Sequence, residues 1–435
     1  MQVRRPGLAT AVFMLLGLAW PAGRADPSPP AACSEFERIL AAVERGASDL
    51  ELARIAAELA RSADAVACFL ETGVATRDQE PERLSDEQRS VLARTARLLD
   101  KDAVVAHVTA EANQEPDAGW RRAALELLRW HAEAAQLPLL ARLAAGEEDS
   151  PPAEDSLGDV FQAAVVDLVR RDPRAFDELP RAAGEFEALR GRLIRAVGAA
   201  ADPAGLEWLA IQLDRAGMTG LALQQIRRVA PRASLAELTA VAEAVRPCLR
   251  SEDPAQRVHA ARALGAIGDP EAVAELISML EEDGRGDRGA ACAALRELSG
   301  RKLPERVEAW RRWHEEELRW LRDESAAALD QLSSANDAEV VAAVRTLSAR
   351  SLRRDHWATQ LARLLATHGS AVVRGQVCLG LARLGSRVVA EDLVLALGDP
   401  EPSVRSAAST ALRRVTGLSL PPDPDVWSEA LLSTR

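Results

Sequence analysis

Apolar residues recur at the spacing of a single helix face along most of this 435-residue chain. From Ser34 onward, amphipathic stretches of about 10 to 16 residues alternate with short turns. No segment shows the strict alternation of apolar and polar residues that is typical of a half-buried strand. The pattern predicts an all-α protein of about 22 helices.

Residue types at the starts of these stretches support the same prediction. Four stretches open with a Ser that is followed three residues later by Glu or Gln, the pattern of a capping box, and five open with Asp-Pro. The serines are Ser34, Ser48, Ser85 and Ser234, and the aspartates are Asp172, Asp202, Asp253, Asp269 and Asp399. With 48% apolar residues the chain can bury surface, so it is not a disordered protein, but its length is too great for one core.

The chain contains an internal duplication. Residues 257–310 align with residues 374–427 without a gap, and 15 of the 54 aligned residues are identical. The offset is 374 − 257 = 117 residues, or three times 39, which is close to the length of one two-helix solenoid unit. The duplication therefore predicts three helical hairpins in each 117-residue span.

The residues of the two copies carry a family resemblance. The first copy, RVHAARALGAIGDPEAVAELISMLEEDGRGDRGAACAALRELSG, resembles HEAT repeats, particularly the short variety also found in phycobilisome-lyase-like proteins. The second copy, EDLVLALGDPEPS followed by VRSAASTALRRVTG, is similar. The resemblance implies a right-handed α-solenoid of stacked antiparallel helical hairpins, that is, a HEAT-like superhelix. It also implies a structural ladder of Asp and Arg side chains, for which Asp287, Arg288 and Arg405 occupy the matching positions.

A second shared segment joins the end of one helix to the start of another. LRELSGRKLPERVEAWRRW and its copy LRRVTGLSLPPDPDVW are similar to a segment of secreted bacterial HEAT-repeat proteins. Gly300 and Gly417 suit the left-handed residue that ends a helix. Trp310 and Trp427 are expected to pack back on the preceding hairpin, so all four residues are interpreted as structural.

These features divide the chain into five segments. We interpret residues 1–25 as a signal peptide, 26–32 as a Pro-rich spacer and 33–145 as divergent N-terminal helical repeats. Residues 157–250 are expected to form middle HEAT-like repeats, and 251–435 to form C-terminal HEAT repeats that include the duplication.

The amino terminus has the three parts of a cleavable secretory signal. Arg4 and Arg5 precede the apolar run 8–20, which is followed by a small-residue site ending at Ala25. An apolar run of 13 residues is too short to anchor a chain stably in a bilayer. We therefore expect export to the periplasm or beyond. In such an oxidising compartment Cys33 and Cys68 form either a disulfide or two free thiols.

Charge and motif content exclude several function classes. The net charge of −12 repels phosphate backbones, so a nucleic-acid partner is not expected. The GxGxxG pattern at Gly284 follows a helix and acidic residues, and the SxxK pattern at Ser299 ends a helix, so neither suits its usual chemistry. The sequence has no CxxC pair, and its six histidines do not share metal-ligand spacing. We predict no catalytic residue, no cofactor and no metal.

The interpretation that follows is a non-enzymatic exported scaffold that binds a protein partner on an extended curved surface. Trp313, Trp320 and Trp357 are candidate partner contacts, because aromatic side chains dominate binding hot spots. Two alternatives stay open: a phycobilisome-lyase-like HEAT enzyme and an envelope adaptor tethered to the membrane by an intact amino-terminal segment.

Overall fold

The computed structural model describes residues 99–145 apart from residue 115, residues 157–281 and residues 285–433, together with Arg54 and Arg97. The predicted signal peptide and spacer, Cys33 and Cys68 lie outside this part of the chain. Within it, the regular structure consists of twenty α-helices and short 3₁₀ turns, without a strand. The all-α prediction is therefore confirmed.

The chain divides into two compact units, residues 1–196 and 197–435. The described helices of the first unit are α1 (Lys101–Glu111), α2 (Ala118–His131), α3 (Leu137–Ala144), α4 (Leu157–Arg171) and α5 (Ala175–Glu185), and the division falls within α6 (Arg190–Ala200). In this unit α2 packs against α3 and α4, and α3 packs against α5.

The second unit contains fourteen further helices among the described residues. They are α7 (Leu206–Ile211), α8 (Thr219–Val229), α9 (Leu235–Val245), α10 (Pro254–Ile267), α11 (Val273–Met279), α12 (Arg285–Ser299), α13 (Val307–Asp323), α14 (Ser325–Asp330), α15 (Asp337–Ser348), α16 (Arg354–Thr367), α17 (Ala371–Leu384), α18 (Ala390–Ala396), α19 (Pro402–Thr416) and α20 (Pro424–Ser433).

Alternate helices of this unit stack side by side in the same direction. Helix α10 packs between α8 and α12, and α17 packs between α15 and α19. Arg374 in the first turn of α17 pairs with Asp399 just before α19, so these two helices begin together. Returning helices such as α11, α16 and α18 form the second layer, which gives the stacked hairpins of an α-solenoid.

The helix bounds repeat at the offset found in the sequence. Helices α10, α11, α12 and α13 begin at residues 254, 273, 285 and 307, and α17, α18, α19 and α20 begin at 371, 390, 402 and 424, each 117 residues later. The span between the copies also holds the short helix α14, because Glu324 departs from helical geometry with a φ of −126°. Seven α-helices therefore begin between residues 254 and 370, where three hairpins predict six.

Polar side chains at helix starts satisfy backbone N–H groups as the sequence predicts. The five Asp-Pro aspartates each accept a hydrogen bond from the backbone N–H two residues ahead, in Asp172, Asp202, Asp253, Asp269 and Asp399. Ser234 and Glu237 form a reciprocal capping box. The other three predicted boxes lie outside the described residues.

Candidate interaction surface

The three tryptophans predicted to contact a partner are buried within the second unit. The side chains of Trp313, Trp320 and Trp357 are 7%, 2% and 3% exposed. The rings of Trp320 and Trp357 meet edge to face at 5.6 Å, and Trp357 Nε1 donates to the carbonyl of Leu352 at 2.8 Å. Trp313 Nε1 donates to Ser351 Oγ at 3.1 Å. The expectation that one of these rings is exposed is wrong, because all three side chains are buried.

A buried carboxyl group accompanies these rings on α13. Glu317 is 3% exposed and accepts a hydrogen bond from the backbone N–H of Leu352 at 3.2 Å. Burial raises the pKa of Glu317 above its usual range, against the opposing effects of that N–H group and of the Arg350 guanidinium. The run 315–317 reads in the sequence as solvated surface, but only Glu315 and Glu316 are exposed.

A ladder of Asp and Arg side chains is present, but its arginines are not Arg288 and Arg405. Arg257 donates to Asp287 at 2.7 Å, and Arg374 forms two hydrogen bonds with Asp399 at 2.7 and 2.9 Å. Hydrogen bonding to Arg374 lowers the pKa of Asp399. The 117-residue alignment pairs Arg257 with Arg374, so this signal was present in the sequence.

The two arginines that the resemblance assigned to the ladder serve the backbone instead. Arg288 donates to the carbonyl of Leu280 at 3.1 Å, and Arg405 donates to the carbonyls of Asp399 and Pro400 at 2.8 and 3.0 Å. Both side chains therefore tie a helix start to the loop or helix before it. Their role is structural in this geometry.

The glycine and tryptophan pairs of the duplicated segment lie at equivalent places. Gly300 and Gly417 have φ angles of +65° and +79°, the left-handed conformation that ends a helix. Trp310 and Trp427 are fully buried. The rings of Trp310 and Trp313, which both belong to α13, meet edge to face at 5.6 Å.

Two large apolar side chains are instead exposed on α17, the helix that packs between α15 and α19. Val372 and Leu379 of α17 are 67% and 47% exposed and lie seven residues, or about two helical turns, apart. Gly375 lies between them, and nothing approaches within 4 Å of the place that a Cβ would occupy there. The sequence gives no warning of this exposure, since α17 also carries Val373, Val377 and Leu381, which are fully buried.

The neighbouring helices border these side chains with small and basic residues. We define the α17 face as the outward sides of α15, α17 and α19, formed by Ala338, Ala342, Arg345, Val372, Gly375, Gln376, Leu379, Arg383, Ser406, Thr410, Arg413 and Arg414. Among the described residues, no carboxylate forms an ion pair with any of these four arginines.

Charge is distributed unevenly along the α17 face. The arginines lie near the carboxyl ends of the three helices, where they also complement the helix dipoles. Exposed carboxylates occur at the opposite ends, in Asp337, Glu339 and Glu401. Arg383 donates to Ser348 Oγ at 3.4 Å, which places the ends of α15 and α17 together. One edge of the face is therefore basic in a chain whose net charge is −12.

Outside the α17 face, the described residues include one depression and a buried thiol. A depression of about 460 Å³ is lined by Arg296, Glu297, Gly300, Arg301 and Lys302, without a nucleophile beside a base. No cluster of three His, Cys, Asp or Glu side chains that could hold a metal was found in the part of the chain that the structure covers. Burial raises the pKa of the Cys378 thiol to about 12, so it is an inert core residue. No helix between residues 99 and 433 that the structure describes is long and apolar enough to span a bilayer.

One family model and several solved structures are similar to this chain. Residues 220–296, from α8 to α12, match the family model for HEAT repeats. Similar solved structures include an engineered protein at 16% identity, with 88% of this chain and 99% of that chain covered and a TM-score of 0.25. Kap121p is another, at 14% identity, with 95% and 50% covered and a TM-score of 0.39. In its complex with Pho4p the identity is 13%, the coverage is 94% and 50%, and the TM-score is 0.38.

The chain spans about half the length of Kap121p. No curated protein matches it. The family match includes α10, α11 and most of α12, and α17 to α19 repeat the bounds of these three helices at the 117-residue offset. The HEAT-repeat match of this chain thus extends over residues 220–296.

Proposed function

We propose that this protein is an exported, non-enzymatic scaffold that binds a protein partner through the α17 face. The observation that carries the proposal is the exposure of Val372 and Leu379 on the central helix of a stack. Fully burying a Val or Leu side chain contributes about 1.5 to 3 kcal/mol, so leaving both in water forgoes stabilisation that a partner would recover. Contiguous apolar patches on protein surfaces mark sites of association, and Val372 and Leu379 supply the large apolar side chains of the α17 face.

The surroundings of the two residues favour recognition over catalysis. Their neighbours on α15 and α19 are small residues and arginines. Ser406 and Thr410 carry hydroxyl groups, but the α17 face has no histidine or carboxylate to act as a general base. Buried apolar anchors with a polar rim are typical of protein interfaces. The proposal of export rests on the amino-terminal signal pattern of the sequence alone.

A residue-specific crosslinking experiment tests the proposed surface. A photo-reactive amino acid would replace Leu379 in one variant and Leu395 in another, and both chains would be expressed in the native host. Leu395 is a matched control because it is 78% exposed but lies on α18 in the other layer. We expect a discrete crosslinked protein at position 379, none at 395, and loss of the crosslink when Val372→Arg is added. Equal crosslinking at both positions, or none at either, would contradict the proposed surface.

A further inference from the structure

We infer that the α17 face binds an amphipathic helix of the partner, which inserts an apolar side chain at Gly375 and places acidic residues against the arginine edge. This inference rests on the proposed function and names the partner's binding element.

The exposed side of α17 has a shape that accepts a side chain from another helix. Val372, Gly375, Gln376 and Leu379 occupy positions i, i+3, i+4 and i+7, the four corners of a hole that accepts one side chain from a facing helix. Gly375 is a corner of this hole without a side chain, and no atom lies within 4 Å of its ideal Cβ position, so the hole is wide on that side. A Leu or Met of a partner helix fits such a hole between two apolar walls.

The flanking helices permit the close approach that this insertion needs. On α15 the outward residues beside the hole are Ala338 and Ala342, and on α19 they are Ser406 and Thr410. All four side chains are short, so they do not block access to the larger Val372 and Leu379. An incoming helix therefore has room to lie along α17.

Charge then determines the chemistry of the partner helix. Arg345, Arg383 and Arg413 lie along one edge of the hole without a carboxylate partner among the described residues. Glu or Asp residues on the partner helix would pair with them, and complementary charge of this kind raises association rates and selects partners. A basic helix would be repelled.

A nucleic acid is a poorer occupant of the same edge. The whole chain repels phosphate backbones, with a net charge of −12. The α17 face also has no aromatic side chain on which a base could stack, whereas single-strand binding depends on such stacking. Its apolar residues are aliphatic, which suits a helix side chain better than a base.

Two designed peptides of about four helical turns test the inference by fluorescence anisotropy with the mature full-length chain. Both carry the same Leu stripe at positions i, i+3 and i+7, and one has Glu where the other has Lys. We expect the Glu peptide to bind at least about tenfold more tightly than the Lys peptide. We also expect its affinity to fall as NaCl rises from about 0.05 M to about 0.5 M, as the Debye length shortens.

Three variants locate the contact. Gly375→Ala adds a methyl group at one corner of the hole, where no other atom lies within 4 Å, and should weaken binding of the Glu peptide by about fivefold or more. Arg383→Glu should weaken it by about tenfold and narrow the preference over the Lys peptide. Gly289→Ala is the matched control, because Gly289 lies in α12, outside the α17 face, and also has open space around it.

Distinct outcomes overturn the inference. Equal binding of both peptides, tighter binding of a single-stranded oligonucleotide or anionic vesicles, or an unchanged affinity in Gly375→Ala would each contradict it. If the peptides fail but the crosslink at position 379 persists, the surface is right and the partner's chemistry is wrong. If both fail, the proposed function fails as well.

Discussion

Arg374 and Asp399 are both largely buried, with 11% and 8% of their side chains exposed, and they hold the start of α17 against the start of α19. Removing one partner of a buried pair leaves the other charge without compensation, which costs about 3 to 5 kcal/mol. We expect Asp399→Ala to lower the free energy of unfolding by that amount in urea titrations. Glu275→Ala is the control, because Arg250 in that pair is 79% exposed, and it should cost less than about 1 kcal/mol.

The same pair makes a pH prediction whose sign follows from Asp399. Its pKa is lowered in the folded chain by hydrogen bonding to Arg374. The stabilisation is therefore present above the ordinary Asp pKa and is lost as the pH falls through the folded value. Asp399→Ala should flatten the acid limb of the unfolding free energy measured against pH. An acid limb as steep as that of the native sequence would show that other carboxylates dominate it.

The pKa of Glu317 is shifted in the opposite direction from that of Asp399, so its effect on stability changes with pH in the opposite sense. Burial raises its folded-state pKa, so its contribution is favourable at low pH and is lost as the pH rises through that value. We expect Glu317→Gln, which keeps an acceptor for Leu352 N–H, to be more stable than the native chain near pH 8 and equal to it at the acid end of the folded range. Urea unfolding at several pH values measures this. Glu316→Gln is the exposed control, and a destabilised Glu317→Gln at pH 8 would show that the charge serves Arg350.

Residue types that act locally were predictable, and residues that depend on distant packing were not. The Asp-Pro caps, the Ser234 box and the left-handed Gly300 and Gly417 follow from a few neighbouring residues. The burial of Glu317 and Trp313 depends on Ser351 and Leu352, more than thirty residues away, as their hydrogen bonds show. A helical periodicity identifies faces, but it does not say how many faces are covered.

At the scale of the helix, glycines with different surroundings should respond oppositely to alanine. A Cβ at Gly265 of α10 would lie 2.7 Å from the Ala294 Cα of α12, so the two helices must separate. Gly375 of α17 has open space and helical geometry. We expect Gly265→Ala to lower the unfolding free energy by about 1 to 3 kcal/mol. Gly375→Ala should raise it by up to about 1 kcal/mol.

Thermal and urea unfolding of the two variants measure this contrast. Gly289 in α12 is a second helical glycine with open space at its Cβ position, so Gly289→Ala should behave like Gly375→Ala. A stable Gly265→Ala would mean that α10 and α12 separate at little cost. Stability also bears on the binding test. If Gly375→Ala is more stable than the native chain but binds the peptide less tightly, the loss of binding is not caused by unfolding.

Helix α17 also shows why the candidate surface could not be predicted from the pattern. Its apolar residues surround the helix: Val373, Val377 and Leu381 face the core, while Val372 and Leu379 face outward. A helix that is apolar all round is normally read as buried on every side. Only the stacking of α15 and α19 on its two flanks, which leaves a third side open, distinguishes the exposed residues.

For the whole molecule, the duplication explains where helices begin and end better than it explains the polar contacts between side chains. The helix starts and the glycine caps recur at 117 residues, and so does the arginine of the ladder. Its carboxylate does not: Asp287 lies within α12, and the equivalent residue of α19 is the buried Val404. The two copies thus share the positions of their helices, but their side chains form different polar contacts.

The proposed export makes a prediction for the whole chain. A helix formed by the apolar run 8–20 would be about 20 Å long, well short of the roughly 30 Å hydrocarbon core of a bilayer. We therefore expect cleavage after Ala25 and a mature chain that begins at Asp26, found by intact-mass measurement of the protein from envelope fractions. Ala25→Arg should block processing, and Ala32→Arg, beyond the site, should not. A native chain that retains residues 1–25 would instead favour a tethered adaptor, and would confine the α17 face and its partner to the membrane surface.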